Sequence, residues 1–285
     1  MKLQNKVALI TGGNGKIGQT IAEWFVREGC QVLLAGRTAT ELTEINAHLA
    51  MIPNARVSLA VANVGKPASV AALMQLAGKA FGRIDILVTA AGVYGEIGPV
   101  SAADPERWLE AVTINLYGTM LCIKYAVPLL QKSSKPRIIS FAGGGEGPVP
   151  NFSSYVSSKG AVLRLVETVA VELAPLGIAI NAISPGLVNS GFVQDLIIAG
   201  PERAGTAAYQ AAQAQVAGTA ETVSPEKAAA LAVWLAGEAP AELTGKNLSA
   251  VWDNWRDISS HINEIASSDI YNLRRVKPKD RGYQW

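Results

Sequence analysis

Short apolar runs alternate with helical segments along most of the chain, and this alternation limits the folds open to it. Residues 70–74 and 162–166 illustrate the helical segments, where apolar residues recur at three- and four-residue steps. The pattern predicts an α/β fold, with a mostly parallel seven-stranded sheet that is doubly wound, with helices on both faces. The predicted strands are centred near Ala8, Leu33, Leu59, Leu87, Ile138, Ile180 and Leu248.

A glycine-rich segment follows the first apolar run. Residues 6–10 form that run, and Gly13, Gly15 and Gly18 then give the pattern G-x-G-x-x-G before a helical stretch. Glycines let the backbone approach a pyrophosphate, and the free N–H groups of a helix N-terminus face the anion. A flexible turn is the alternative for such a pattern alone, but its place between strand and helix favours dinucleotide binding.

Polar and glycine residues follow several of the predicted strands directly. In a parallel sheet, ligands bind beyond the carboxyl ends of the strands, so these residues are expected to converge on one edge. They are Asn14, Arg37, Asn63, Gly92 and Gly143.

Tyr155 and Lys159 lie four residues apart in a predicted helix. Residues at this spacing share a helix face, so the ammonium group can lie close to the phenol. A nearby cation favours phenolate, and we therefore expect Lys159 to lower the pKa of Tyr155 and suit it to general acid or base work. The alternative is a surface tyrosine beside a solvated lysine.

With these motifs in order, the chain resembles the short-chain dehydrogenase/reductases from its first strand to about Val251. The resemblance implies a Rossmann-like fold, one dinucleotide-binding and catalytic domain over residues 1–251, and oxidoreductase activity. The motifs that carry it are Thr11-Gly12 with Gly18, Ala90-Ala91-Gly92, Asn115, the Tyr155 and Lys159 pair, and the run from Asn181 to Pro185-Gly186.

The resemblance also implies roles for individual residues. Tyr155 would give or take a proton on the substrate oxygen, Lys159 would bond the nicotinamide ribose, and Asn115 would hold a water linked to Lys159. The residues implied to bind the cofactor are Gly12, Asn14, Gly15, Lys16, Ile17, Gly18, Arg37, Thr38, Asn63, Val64, Ala91, Gly92, Tyr155, Lys159, Pro185, Gly186 and Val188.

The chain departs from the family where a serine usually holds the substrate oxygen. Counting back from Tyr155 gives Ala142, or Gly143 with one deletion, and neither carries a hydroxyl. Ser140 comes too early unless the register slips. The glycines at 143–145 offer backbone N–H groups to the substrate oxygen, or alternatively form a plain tight turn. The predicted substrate residues are therefore Ala142, Gly143, Gly144 and Tyr155.

Three further departures concern the cofactor loops. Lys16 replaces the usual middle glycine and either reaches phosphate as a point charge or points into solvent. Asn63 replaces an aspartate, yet its amide can still bond an adenine edge. Thr89 and Ala90 replace two asparagines, so the central strand must be braced by other hydrogen bonds.

The end of the second strand favours NADP(H) over NAD(H). Gly36 stands where an acidic residue would bond the ribose 2′-hydroxyl, and Arg37 follows it. A guanidinium group suits the 2′-phosphate of NADP(H), which an acid would repel. An exposed loop cation is the alternative for Arg37.

Composition predicts a cytoplasmic enzyme. A net charge of +2 gives no reason to expect nucleic acid or an acidic membrane as a partner. We expect Cys30 and Cys122 to be buried and unpaired. No apolar run indicates a membrane span, the first strand follows no signal-peptide pattern, and His48 and His261 stand in no metal-ligand spacing, so no metal is expected.

Two segments are expected to set the substrate. Residues 188–222 occupy the position of the family's mobile lid, with a pair of surface helices as the alternative. Residues 252–285 form a C-terminal helical extension, in which Ile258, Ile262, Ile265 and Ile270 make one stripe. Such a stripe packs on its own domain or crosses to a neighbouring subunit. Trp252, Trp255 and Tyr94 are candidates for stacking on a ring, or for core packing.

The prediction is an NADP(H)-dependent oxidoreductase that interconverts a carbonyl and a secondary alcohol on a small molecule, with sugar-like substrates among the candidates. A homo-oligomer, a tetramer or a dimer, is what the resemblance implies. Two alternatives stay open: a nucleotide-binding protein with little or no reductase activity, and an epimerase or dehydratase that retains NADP.

Overall fold

The computed structural model describes residues 1–144 and 147–285. Its strands form one parallel sheet of seven, in the order β3-β2-β1-β4-β5-β6-β7. Each predicted strand centre falls within one of them, so the predicted α/β architecture is confirmed. The strands are β1 (Val7–Thr11), β2 (Gln31–Gly36), β3 (Arg56–Val61), β4 (Ile86–Thr89), β5 (Arg137–Phe141), β6 (Ala179–Ser184) and β7 (Asn247–Ser249).

Helices connect the strands on both faces of the sheet, as the alternating pattern predicts. Between α4 and α5 the chain forms a π-helical turn over Val112–Tyr117, and α7 is kinked at Gly200. The helices are α1 (Lys16–Arg27), α2 (Ala39–Leu49), α3 (Pro67–Phe81), α4 (Pro105–Ala111), α5 (Gly118–Leu130), α6 (Ser153–Leu173), α7 (Phe192–Ala204), α8 (Thr206–Val216), α9 (Pro225–Gly237) and α10 (Ile262–Ala266).

Alternate strand residues supply two separate cores. Ile10 of β1 and Leu34 of β2 face the core beneath α1 and α9, whereas Leu9 and Leu33 face the core beneath α3, α5 and α6. Successive side chains of a strand point to opposite faces, so strands covered on both sides are apolar throughout. This explains why the strands read as unbroken apolar runs.

The strand order reverses between β1 and β4, and this point creates the crevice for a ligand. β1 pairs with β2 on one side and with β4 on the other, all in parallel register. The chain therefore leaves β1 and β4 in opposite directions beyond their carboxyl ends, and a cleft opens there.

The central strands are braced by hydroxyl groups in place of the family's asparagines. Thr89 Oγ1 donates to Ser140 Oγ at 2.9 Å between β4 and β5, and both side chains are buried. Ser140 thus lies between two strands and cannot reach a substrate in the crevice.

The C-terminal extension packs against its own chain. Trp255, Ile258 and Ile265 are buried in the core that α9 covers, and Ile262 is packed partly against it. Lys246 Nζ donates to Ser268 O at 2.8 Å. Trp252 is 85% exposed. Of Trp252 and Trp255, which are candidates for ring stacking or core packing, Trp255 therefore belongs to the core.

One helical stretch, Pro105–Leu130, is long and apolar enough to span a membrane by those two criteria alone. It includes α4 and α5, and here it lies against α3, α6 and β4. A helix in the core of a globular domain meets the same criteria.

Candidate active site

A cavity of about 370 Å³ opens at the carboxyl ends of the strands. It extends from the glycine-rich loop to Tyr155 and Lys159, so residues far apart in the chain share one space. The predicted site residues that line it are Gly12, Asn14, Gly15, Lys16, Ile17, Gly18, Arg37, Val64, Ala91, Gly92, Ala142, Tyr155, Lys159 and Pro185.

The glycine-rich loop holds its shape through close backbone packing. Gly12 has a φ of 74°, and a Cβ there would lie 2.4 Å from Ala91 N. A Cβ at Gly18 would lie 2.4 Å from Gly12 O. Neither position has room for a side chain, which explains why the chain carries glycine at both.

The helix that follows offers its N-terminus to the cavity. α1 begins at Lys16, has no acidic residue in its first turn, and places Gly15 to Gly18 along the cavity wall. Unpaired N–H groups and the positive end of the helix dipole favour an anion at this point. This part of the cavity therefore fits the pyrophosphate of a dinucleotide.

Asn14 joins the glycine-rich loop to the end of β2. Its Oδ1 accepts from Arg37 N at 2.7 Å, and its Nδ2 donates to Thr38 O at 3.2 Å. A Cβ at Gly36 would lie 1.8 Å from Asn14 Oδ1. The site has no carboxylate at position 36, and Arg37 lines the cavity beside it, whereas the side chain of Thr38 does not.

Asn63 and Val64 differ in where they point. Val64 lines the cavity, whereas Asn63 Oδ1 accepts from Gly65 N at 2.9 Å and lies outside the lining. The Asn63 side chain thus braces the loop after β3 in this structure.

Tyr155 and Lys159 lie one turn apart on α6 and both line the cavity. Lys159 Nζ donates to Phe141 O at 3.0 Å. Burial of the ammonium group lowers the pKa of Lys159 to about 8. Lys159 is therefore a cation at neutral pH that loses its proton in mildly alkaline solution.

The pKa of Tyr155 is not lowered as expected. Burial of the phenol raises it above the ordinary value of 10, and Tyr94 raises it further. The prediction of a lowered pKa for Tyr155 considers the charge of Lys159 alone. Burial disfavours the charged phenolate, and it is the largest cause of the change in pKa. The Tyr155 hydroxyl thus holds its proton more firmly than a free phenol does.

Asn115 lies in the π-helical turn and does not line the cavity. Its Nδ2 donates to Val93 O and to Ser158 Oγ, and its Oδ1 accepts from Val93 N, each at 2.9 Å. A π-helical turn is a frequent feature of functional sites. Here it presents Asn115 to the segment after β4 and to the residue next to Lys159.

The substrate end of the cavity is formed by backbone and aromatic rings. Ala142 lines it, whereas Gly143 and Gly144 lie behind it, and Gly145 is outside the described residues. A Cβ at Gly143 would lie 2.3 Å from Tyr155 Oη. The Tyr155 hydroxyl therefore occupies the space that a side chain at 143 would need.

The segment after β6 contributes residues that the motifs did not single out. Ser190, Gly191, Phe192 and Asp195 line the cavity, whereas the predicted Gly186 and Val188 pack against Val223 behind it. The α7 helix is fixed by Arg203, whose Nε donates to Ile97 O at 3.0 Å and whose guanidinium group pairs with the buried Glu96. Only a tertiary contact brings Phe192 and Asp195 to the site, so no local pattern marks them.

Comparison with known proteins assigns the chain and its fold to one family. The family described as short chain dehydrogenase matches residues 6–201. The chain belongs to the short-chain dehydrogenase/reductases. It is 31% identical over 252 residues to a D-beta-hydroxybutyrate dehydrogenase of Rhizobium meliloti (strain 1021), covering 86% of this chain and 96% of that one. It is 33% identical over 195 residues to dehydrogenase/reductase SDR family member 4 of Sus scrofa, covering 68% and 70%.

Solved structures of short-chain dehydrogenase/reductases share the architecture. Levodione reductase superposes with a TM-score of 0.78 at 26% identity, covering 87% of this chain and 96% of that one. NAD+-bound xylitol dehydrogenase superposes with a TM-score of 0.76 at 26% identity, covering 87% and 98%. This protein is thus an oxidoreductase of a family that binds NAD or NADP and acts on small molecules.

Proposed function

We propose that this short-chain dehydrogenase/reductase uses NADP(H) to interconvert a carbonyl and a secondary alcohol on a small molecule. One observation carries the proposal: the Tyr155 phenol, the Lys159 ammonium and the glycine-rich loop at the start of α1 line a single cavity. A proton donor and a loop suited to a dinucleotide thus face one cavity, which supports hydride transfer to a carbonyl as the reaction.

The proposed roles divide proton handling among three residues. When bound, the nicotinamide supplies or accepts the hydride. Tyr155 gives its phenolic proton to the substrate oxygen in reduction and takes it back in oxidation. Lys159, one turn away and cationic below a pKa of about 8, stabilises the phenolate that remains. Asn115 holds the neighbouring backbone and a water that returns the proton from solvent.

The substrate oxygen needs a second donor because no serine stands at the expected place. We assign this role to the backbone N–H groups of Gly143 and Gly144, which follow Ala142 of the cavity wall in the chain. Backbone donors aimed at a reacting oxygen stabilise charge that develops on it. The contact of position 143 with the Tyr155 hydroxyl supports this assignment.

Preference for NADP(H) is the second part of the proposal. Arg37 and Lys16 supply two cations along the cavity wall, and Asn14 fills the space above Gly36 where an acid would stand. A guanidinium group binds phosphate in a bidentate manner, which favours the 2′-phosphate. Thr38 and Asn63 are proposed to support the adenosine from the flanking loops.

The segment 188–222 is proposed to be the lid over the substrate, with Gly186 and Val188 at its base. Supporting this, α7 packs its Phe192 onto the catalytic tyrosine. From the family resemblance we also propose that the protein is a homo-oligomer. Residues 1–251 are proposed to form the catalytic domain, and residues 252–285 its C-terminal extension. The proposed location of the protein is the cytoplasm.

Binding and turnover of the two coenzymes test the proposal directly. The protein is heated with NADPH or NADH, and a panel of ketones and sugars is then followed by NADPH absorbance. We expect NADPH to raise the melting temperature more than NADH and at least one ketone to be reduced. An Arg37→Gln variant should lose roughly tenfold in NADPH affinity and little in NADH affinity, because it removes the phosphate contact. Stabilisation by NADH alone would contradict the coenzyme assignment.

A nucleotide-binding protein without reductase activity is the second candidate. Tyr155 is enclosed by Tyr94 and Phe192, its pKa is raised by burial, and the site lacks the serine hydroxyl. Stabilisation by NADPH with no turnover of any ketone, alcohol or sugar would favour this candidate.

A further inference from the structure

Two aromatic rings stand against the ring of Tyr155, whose hydroxyl is proposed to exchange the proton. The Tyr94 ring centroid lies 4.9 Å from that of Tyr155 in an edge-on arrangement, and 4.3 Å from that of Phe192. Phe192 itself stands edge-on to Tyr155 at 5.7 Å. Tyr94 follows β4 and Phe192 begins α7, so the rings come from different parts of the chain. Movement of α7 would open a space walled by ring faces, suited to a compact apolar ring or chain.

Within residues 1–144 and 147–285, one carboxylate lines the cavity. Asp195 lies one helical turn after Phe192 on α7 and lines the cavity while remaining exposed to solvent. Its charge raises the pKa of Tyr94, although burial of that phenol is the larger cause. Residues three apart on a helix share a face, so the carboxylate lies on the same side of α7 as the Phe192 ring.

The charges around Asp195 leave it available to a ligand. Partial desolvation raises the pKa of Asp195, Arg107 and Arg37 oppose that change, and Glu110 adds to it. Arg107 forms an ion pair with a different residue, the buried Glu96: the Arg107 Nε atom lies 3.6 Å from Glu96 Oε2. No ion pair or hydrogen bond of the Asp195 carboxylate itself is found among residues 1–144 and 147–285.

From this geometry we infer that Asp195 is a specificity-determining residue, and that the substrate carries a hydrogen-bond donor, a hydroxyl or an ammonium group, beyond its carbonyl. The inference rests on the proposed function. A carboxylate accepts a hydrogen bond from such a donor and repels a second carboxylate. Asp195 would therefore favour ligands with a hydroxyl or ammonium group and disfavour ligands with a carboxylate. The aromatic rings supply apolar contact, and Asp195 decides which polar group is tolerated at the far end of the ligand.

The test uses three cyclohexanones that share one ring and differ only in the group opposite the carbonyl: hydroxyl, ammonium or carboxylate. Their dissociation constants are measured on the protein saturated with tetrahydro-NADP, a reduced coenzyme analogue that neither gives nor accepts hydride, and kcat/KM is measured with NADPH. We expect the wild-type protein to bind the hydroxyl and ammonium compounds more tightly. Asp195→Asn should reduce the preference for ammonium over carboxylate by roughly tenfold.

Glu202→Gln is the matched control. Glu202 lies on the same helix beyond the kink at Gly200, is exposed and does not line the cavity, and its change removes the same charge. This control should leave the preference unchanged. The preference of the wild-type protein for the ammonium over the carboxylate compound should also weaken as salt is added. Asp195 is exposed to solvent, so dissolved ions screen its charge.

Two results would overturn the inference. Equal weakening of all three ligands by Asp195→Asn would mean that Asp195 acts on the coenzyme or on lid position. A preference unchanged from wild type would mean that its carboxylate does not face the ligand. Failure of the proposed function is separate: it would show as binding of the ketones without turnover of any compound, while the binding preference still tests Asp195.

Discussion

At the coenzyme end of the cavity the chain relies on its backbone, whereas at the substrate end it relies on aromatic side chains. Gly12 and Gly18 pack against backbone atoms within 2.4 Å of where a Cβ would lie. Tyr94, Tyr155 and Phe192 instead meet ring to ring, and one of them belongs to a helix after β6. The first end is fixed by contacts within the β1-α1-β4 layer, and the second depends on where α7 rests.

This difference explains why Gly12 and Gly18 are kept although Lys16 beside them departs from the family pattern. Where backbone atoms pack this closely, only glycine fits, so few sequences can form the glycine-rich loop. Several combinations of residues can pack aromatic rings together or donate a hydrogen bond to a substrate oxygen. The substrate end can therefore lack the serine of the family and still contain the tyrosine. Variants that act on one end and spare the other test this division.

Tyr155→Phe should separate the two ends most clearly. We expect turnover to fall roughly a thousandfold, because the proton donor is removed, while NADPH affinity stays nearly unchanged. Tyr94→Phe is the control, since it removes a neighbouring hydroxyl and keeps the ring packing. Steady-state kinetics and NADPH fluorescence titration measure both. Wild-type turnover by Tyr155→Phe would remove this residue from the mechanism.

Gly12→Ala should damage the coenzyme end. Its methyl group would meet Ala91 N at 2.4 Å and impose a positive φ on alanine, so we expect a loss of about 3 kcal/mol in the free energy of unfolding. Gly82→Ala imposes the same φ of 74° with nothing within 4 Å, and should cost about 1 kcal/mol. Urea unfolding gives both values. Equal losses would show that φ, and not close packing, keeps glycine at position 12.

Two serine substitutions distinguish the possible positions of the missing hydroxyl. Gly143→Ser should lower kcat/KM roughly a hundredfold, because its Cβ would displace Tyr155 Oη, which lies 2.3 Å away. Ala142→Ser introduces the hydroxyl into the cavity lining and should raise kcat/KM roughly tenfold by adding a donor for the substrate oxygen. The best ketone of the panel serves as substrate. Full activity in Gly143→Ser would show that Tyr155 does not need that space.

Lys159 lies where the two ends meet, and its burial makes stability depend on pH. Its pKa is about 8 when folded and about 10.5 when unfolded, so the unfolded chain binds more protons between these values. Lys159 should therefore contribute a rise of about 2 kcal/mol to the free energy of unfolding from about pH 7 to about pH 9.5, against an opposing fall from the buried thiols of Cys30 and Cys122. Lys159→Met should remove this rise, as measured by urea unfolding across that range. A rise of equal size in the variant would assign the effect to another group.

Local sequence patterns predicted the strands, the glycine-rich loop and the Tyr155 and Lys159 pair, because each depends on residues a few positions apart. They failed where a distant contact decides the outcome. The pKa of Tyr155 is raised because Tyr94 and Phe192 bury the phenol, and these rings lie outside its helix. The hydrogen bond of Asn115 to Val93 likewise joins residues far apart in the chain.

Strand and helix periodicity, together with glycines that no other residue can replace, determined the fold and the coenzyme loop from the sequence itself. Tertiary structure alone decided that Ser140 pairs with Thr89 inside the sheet, that Tyr155 rests on Gly143, and that Phe192 and Asp195 reach the cavity. The physical reason is range: backbone preferences act between near neighbours, whereas burial and charge at a site depend on every element that packs around it.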